Sequence, residues 1–131
     1  MPPAQASAIS NAVPAYQASR SPCPIGRASR VLGDRWAMLI MREALLGSDR
    51  FEQFMARLDI SRAVLTDRLA MLVAAGVLCR EPAGAVRAAY VLTEAGRALA
   101  PVYERIGAWS ADHLFADGKD ASDWSAVPPT T

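Results

Sequence analysis

The chain's 131 residues include one histidine and two cysteines, carry a net charge of +1, and are 52% hydrophobic and 21% charged. These proportions suit one globular domain of about ninety residues between irregular ends. They exclude a disulfide scaffold, a zinc cluster and a redox CxxC pair, because Cys23 and Cys79 are too few and too far apart.

An enzyme would also lack its parts. His113 stands alone on an apolar-flanked stretch, and neither a glycine-rich phosphate loop nor metal-ligand spacing is present, so no catalysis, metal or cofactor is expected. No apolar run approaches the roughly 20 residues of a membrane span, and residues 1–19 lack the basic start and long apolar stretch of a signal peptide, which makes a reducing cytoplasm the expected setting. The charge is unevenly placed: residues 20–105 hold 13 of the 14 Lys and Arg against nine of the 13 Asp and Glu, whereas the last 26 residues are acidic. A modestly basic folded part permits a polyanionic partner without requiring one.

Residues 1–22 are rich in Ala, Ser and Pro with a single charge and read as a disordered arm. Cys23-Pro24 opens a helix that Gly33 stops, and Asp34 caps a second, Arg35 to Leu46, whose Trp36, Leu39, Ile40 and Ala44 form a broad apolar surface with Arg42 and Glu43 outside it. Gly47 ends it. The spacing of Phe51, Phe54, Met55 and Leu58 predicts a short amphipathic helix with Glu52, Gln53 and Arg57 outward. Asp59-Ile60-Ser61 is a turn, and Ser61 caps a helix over Arg62 to Ala75.

On that helix Val64, Leu65, Leu69, Leu72 and Val73 point inward, leaving Arg62, Ala63, Thr66, Asp67 and Ala70 on an opposite face, small and polar near its start, that fits a major groove, with the capping Ser61 a further candidate for DNA contact. The runs Val77 to Glu81 and Ala88 to Leu92 flank Pro82-Ala83-Gly84-Ala85 and predict a hairpin. Arg80 and Arg87 near its ends are candidates for phosphate contact, with plain solvation as the alternative. Thr93 caps a last helix that Pro101 kinks or divides. Its stripe of Leu99, Val102, Tyr103, Ile106, Trp109 and Leu114 exceeds what so small a core needs, which makes it a candidate dimerisation surface; residues 115–131 read as a flexible acidic tail.

Two helices joined by a tight turn and followed by a hairpin make a winged helix-turn-helix, mainly α with a small β wing and terminal helices available for dimerisation. Residues 23–114 also resemble the HxlR-type family of bacterial transcriptional regulators, relatives of the MarR group. The resemblance rests on Cys23-Pro24, Leu32-Gly33-Asp34-Arg35-Trp36, Arg50-Phe51, Ile60-Ser61, Leu65-Thr66, Leu69, Leu72, Gly76 and the run Tyr90 to Gly96. It implies a bacterial, homodimeric regulator of neighbouring genes that binds double-stranded operator DNA with inverted-repeat symmetry, and an electrophile, an oxidant or another small-molecule inducer as a further partner.

Cys23 is the sensing candidate, since it precedes a helix, near unpaired backbone N–H groups and the positive charges of Arg27 and Arg30. The chain departs from the family in having Ala63 and Ala70 where basic residues are common, a shorter wing loop without a proline pair, and an added N-terminal arm. A winged helix used for protein contact, without DNA binding, is the alternative reading.

Overall fold

The computed structural model describes residues 17–126. Most of the expected N-terminal arm, residues 1–16, and residues 127–131 of the expected tail lie outside the described residues.

Helix α1 (Pro24–Leu32) begins at Cys23, whose Sγ accepts from the Gly26 N–H at 3.4 Å, with Pro24 in the first turn where a missing N–H costs nothing. None of its residues is buried. Gly33 and Asp34 separate it from α2 (Arg35–Leu45), where the Asp34 carboxylate accepts from the Ala37 N–H at 2.9 Å. Helix α2 is the centre of the domain, with Ala37, Ile40 and Met41 wholly buried. Gly47, at φ +113°, turns the chain out of it.

Helix α3 (Phe51–Arg57) is capped by Gln53, whose side-chain oxygen accepts from the Asp49 and Arg50 N–H groups at 2.9 and 3.0 Å. Ser61 caps α4 (Arg62–Ala74) by accepting from the Val64 N–H at 3.2 Å. Phe54, Leu65, Leu69 and Leu72 from these two helices meet Ile40 and Met41 in one core.

The wing is a two-stranded antiparallel hairpin, β1 (Leu78–Glu81) with β2 (Ala89–Leu92), in which Leu78 pairs with Leu92 and Glu81 with Ala89. Each strand starts one residue later than expected, since the paired ladder runs only from Leu78–Leu92 to Glu81–Ala89, and Val77 and Ala88 just outside it are buried. The expected last helix is divided: α5 (Glu94–Arg97) stops at Ala98, and α6 (Ala100–His113) restarts with Pro101 in its first turn.

Two sequence expectations about the core are corrected. Arg42 and Glu43 lie inside rather than outside α2's apolar surface, at 8% and 0% exposure. Tyr103, expected on the dimerisation stripe, faces its own core and donates its hydroxyl to the Met38 carbonyl at 2.7 Å. Burial pushes its phenol above the ordinary value, against the opposing charge of Arg42, so it remains a donor. The acidic tail is irregular over residues 115–123 and then makes a 3₁₀ turn at Trp124–Ala126, with Trp124 against Gly107 and its ring 6.0 Å from that of Tyr103.

The wing joins the C-terminal helices through Thr93, whose hydroxyl donates to the Gly76 carbonyl at 2.6 Å and accepts from the Gly96 N–H at 3.1 Å. Gly96 is buried so tightly that a β-carbon there would collide with the Val77 carbonyl. Gly96→Ala should therefore cost about 1–3 kcal/mol by forcing α5 off the wing. Urea unfolding checks this, and an unchanged midpoint would contradict it.

Candidate nucleic-acid interface

The start of α4 supplies an exposed face, as the apolar stripe requires. Ser61, Arg62, Ala63 and Thr66 are exposed and Asp67 is half-buried. Their polar atoms are already ordered. Ser61 spends one lone pair on capping, and the Thr66 hydroxyl donates to the Arg62 carbonyl at 2.9 Å, leaving its methyl group and its acceptor lone pairs for a ligand. Arg62 donates to the Glu52 carboxylate at 3.0 Å, with its guanidinium 4.9 Å from the centre of the Phe51 ring.

Asp67 turns along the helix to accept from Arg68 Nη1 at 2.7 Å. The same guanidinium reaches the N-cap of α2, with Nε 2.8 Å from Asp34 Oδ2 and Nη2 3.3 Å from Oδ1. Arg68 thus ties α4 to the turn between α1 and α2. Nothing local in the sequence signals it, because the partners are 34 residues apart.

The wing's two arginines part company. Arg87 is exposed. Arg80 is half-buried; its Nη2 donates to the Ala85 carbonyl at 2.6 Å, its guanidinium lies 5.7 Å from the Tyr90 ring centre, and its buried Nε has no partner among the described residues. Arg80 therefore braces the hairpin loop, and Arg87 is the freer of the two expected phosphate contacts. The sequence reading missed Arg50 for this surface, although it directly precedes the first helix of the motif. Its Nη1 donates to the Arg87 carbonyl at 2.6 Å while the Tyr90 N–H donates to the Asp49 carbonyl at 2.7 Å, so the segment before α3 holds the wing in place.

Together these elements border a cleft of about 590 Å³ between the starts of α3 and α4 and the wing, lined by Arg50, Arg62, Arg80 and Arg87, by Phe51 and Tyr90, and by Glu52. Four guanidinium groups against one carboxylate make it attractive to a polyanion.

The other expected site residues lie apart from this cleft. Cys23 is an exposed free thiol at the start of α1, and Cys79, half-buried on β1, has its Sγ 3.8 Å from Glu81 Oε2. On α6, Val102, Ile106 and Trp109 are exposed at 42%, 38% and 57%, and Leu114 just beyond it at 61%, while Leu99 is half-buried. No group of three or more His, Cys, Asp or Glu among the described residues could hold a metal ion. No described helix is long and apolar enough to cross a membrane.

A family model described as HxlR-like helix-turn-helix matches residues 31–117. The chain belongs to that family. HxlR-like proteins similar to it are transcriptional regulators and not enzymes. An HTH-type transcriptional regulator of Mycobacterium tuberculosis is 41% identical over 92 residues, covering 69% of this chain and 58% of the relative, so the chain spans just over half of that protein. The Bacillus subtilis HTH-type transcriptional regulator YvaP is 39% identical over 96 residues, covering 70% of this chain and 89% of YvaP.

Among solved structures, that of PA1607, assigned as a transcription factor, superposes with a TM-score of 0.72 at 34% identity, covering 86% of this chain and 82% of that one. The redox regulator HypR in its reduced form gives 0.61 at 28% identity, covering 71% of this chain and 95% of HypR. These likenesses extend across the HxlR-like motif and its wing, which fixes the winged helix-turn-helix architecture.

The Asp34–Arg68 contact has a measurable signature. The Arg68 hydrogen bonds hold the Asp34 carboxyl below the ordinary carboxylate range, partial burial pushes the other way, and the Ala37 N–H adds to the lowering. A carboxyl lowered in the folded state stabilises above its unfolded value, near 3.8, and loses that contribution as pH falls through the folded value. Asn caps a helix as well as Asp, so Asp34→Asn isolates the charge. At pH 7 it should cost about 0.5–1 kcal/mol, a figure reduced for solvent screening of this partly exposed pair, and the difference from wild type should vanish below the folded value. Urea titrations at several pH values test this; a pH-independent difference would assign the effect to packing.

Proposed function

We propose that the chain is a homodimeric, sequence-specific DNA-binding regulator of transcription, with α4 in the major groove and the wing against the backbone. The observation that carries this reading is the guanidinium-lined cleft beside the exposed polar start of α4. Among the described residues no large exposed apolar side chain lies on α4, which leaves the protein-contact alternative without its anchor.

On this reading Arg62 and Thr66 meet base edges, Arg87 and Arg50 meet phosphates, and the small Ser61 and Ala63 let the helix approach closely. Selection from a random duplex pool should enrich an operator whose affinity falls steeply with salt, and Arg62→Ala should weaken it by about 1–3 kcal/mol. Failure of the wild type to enrich any sequence would favour the protein-contact alternative.

The dimer reading is supported by α6, where Val102, Ile106 and Trp109 share one exposed face at spacings of four and three, continued by Leu114. Two copies joined there bind an inverted repeat with half-sites about one helical turn, or a multiple of it, apart. Ile106→Glu should shift the protein from dimer to monomer at micromolar concentration in sedimentation equilibrium. A wild type that is itself monomeric would sink the reading.

Sensing through Cys23 is supported by its exposure, by its position over the first N–H groups of α1, and by likeness to a protein named as a redox regulator. Addition of the Cys23 sulfur to a quinone forms a thioether, with the thiol proton and the electron pair passing to the ring, which becomes a hydroquinone. The added bulk shifts α1 and with it the two recognition helices. Titrating DNA binding with a quinone should release wild type and Cys79→Ser but spare Cys23→Ser. Equal release of wild type and Cys23→Ser would make Cys23 structural and point to a non-covalent inducer.

A further inference from the structure

Four arginines and one acid line the cleft between the starts of α3 and α4 and the wing. Arg50 and Arg80 donate to carbonyls of the wing and keep their full positive charge, whereas Arg62 lies on the Glu52 carboxylate at 3.0 Å with the Phe51 ring beside it. Both members of that pair are well exposed, at 63% and 73%, so packing does not force them together and the contact is weak enough to open. A carboxylate in a cleft that receives a polyanion works against binding as such. Its placement on the one arginine at the tip of the recognition helix therefore needs a reason other than affinity.

We infer that Glu52 is a specificity-determining residue, which holds Arg62 off the DNA backbone and yields it only to a base edge. This rests on the DNA-binding reading above and sharpens it. Moving Arg62 from Glu52 to a phosphate exchanges one anion for another and leaves the carboxylate unpaired beside the backbone, a net repulsion. Moving it to guanine O6 and N7 gives two hydrogen bonds, and the freed carboxylate then faces a groove in which the cytosine N4 amino group is a donor. Complexes with arbitrary DNA form with Arg62 still on Glu52 and one phosphate fewer neutralised. Complexes with the operator form with Arg62 on a guanine.

The test compares wild type, Glu52→Gln, Arg62→Ala and the double variant on the selected operator and on a random duplex over a range of salt. Glu52→Gln should tighten random-duplex binding by about eightfold at 0.1 M salt and steepen its salt dependence by about 0.9 in log–log slope, the counterion release of one further phosphate contact. Operator affinity should gain less than random-duplex affinity, since Arg62 is already engaged there, so the ratio of operator to random-duplex affinity should fall. The double variant should return the random-duplex slope to the wild-type value, and melting temperatures should stay level because neither residue is in the core.

An unchanged random-duplex slope in Glu52→Gln, or an equal gain on both duplexes, would overturn the specificity role while leaving DNA binding intact. A wild type that binds neither duplex in a salt-dependent way would overturn the DNA-binding reading itself, and this role with it.

Discussion

Helix α2 is packed by α1, α3, α4 and the wing strand β2, which leaves Glu43 no water to face. A bare carboxylate in that position would cost several kcal/mol of lost hydration. Two guanidinium groups meet it instead: Arg42 Nε at 2.9 Å on one oxygen and Arg57 Nε at 2.7 Å on the other. Arg42 Nη2 also approaches to 2.7 Å without the direction of a hydrogen bond, so its contribution is electrostatic. The contact with Arg57 joins the central helix to the first helix of the reading motif. The angle between those helices is thus set by charge as well as by apolar packing.

The reading surface is mounted on this frame at three places. Arg68 fastens α4 to the N-cap of α2, Arg50 and Asp49 fasten the wing to the segment before α3, and Thr93 fastens the end of the wing to the turn after α4. All three are polar contacts, two of them to backbone carbonyls at element ends and the third between the Arg68 and Asp34 side chains. The apolar core fixes which faces meet, and the end contacts fix register and tilt.

Much of this was legible in the residues. Helical spacing and caps gave α1 to α4 within a residue or so, and the turn formers around Gly84 gave the wing. Misreadings arose where the deciding neighbour is distant in sequence. Arg42 and Glu43 look like an outer face because periodicity describes one helix and says nothing of what lies across from it. Arg80 resembles Arg87 in the sequence, yet only Arg80 can fold back onto Ala85. Trp124 sits in a segment of disordered composition and finds its place through Gly107, whose missing side chain leaves the gap. Tyr103 belongs to an apolar stripe by spacing, but it turns inward to core packing and to the Met38 carbonyl, both of which lie outside its own helix.

That inward turn anchors α6 near its start and leaves the rest of the helix as an arm. The Tyr103 hydroxyl is tethered to the middle of α2, while the helix continues for ten more residues to His113. At 1.5 Å of rise per residue this arm is about 15 Å long, so a tilt of about 10° at the tyrosine displaces its far end by about 2.6 Å. In a dimer joined along that arm, both subunits would pivot about their own tyrosines, and the displacement would enter the separation of the two reading heads twice. In such a dimer a single phenol would be the bearing on which the separation of the two heads turns.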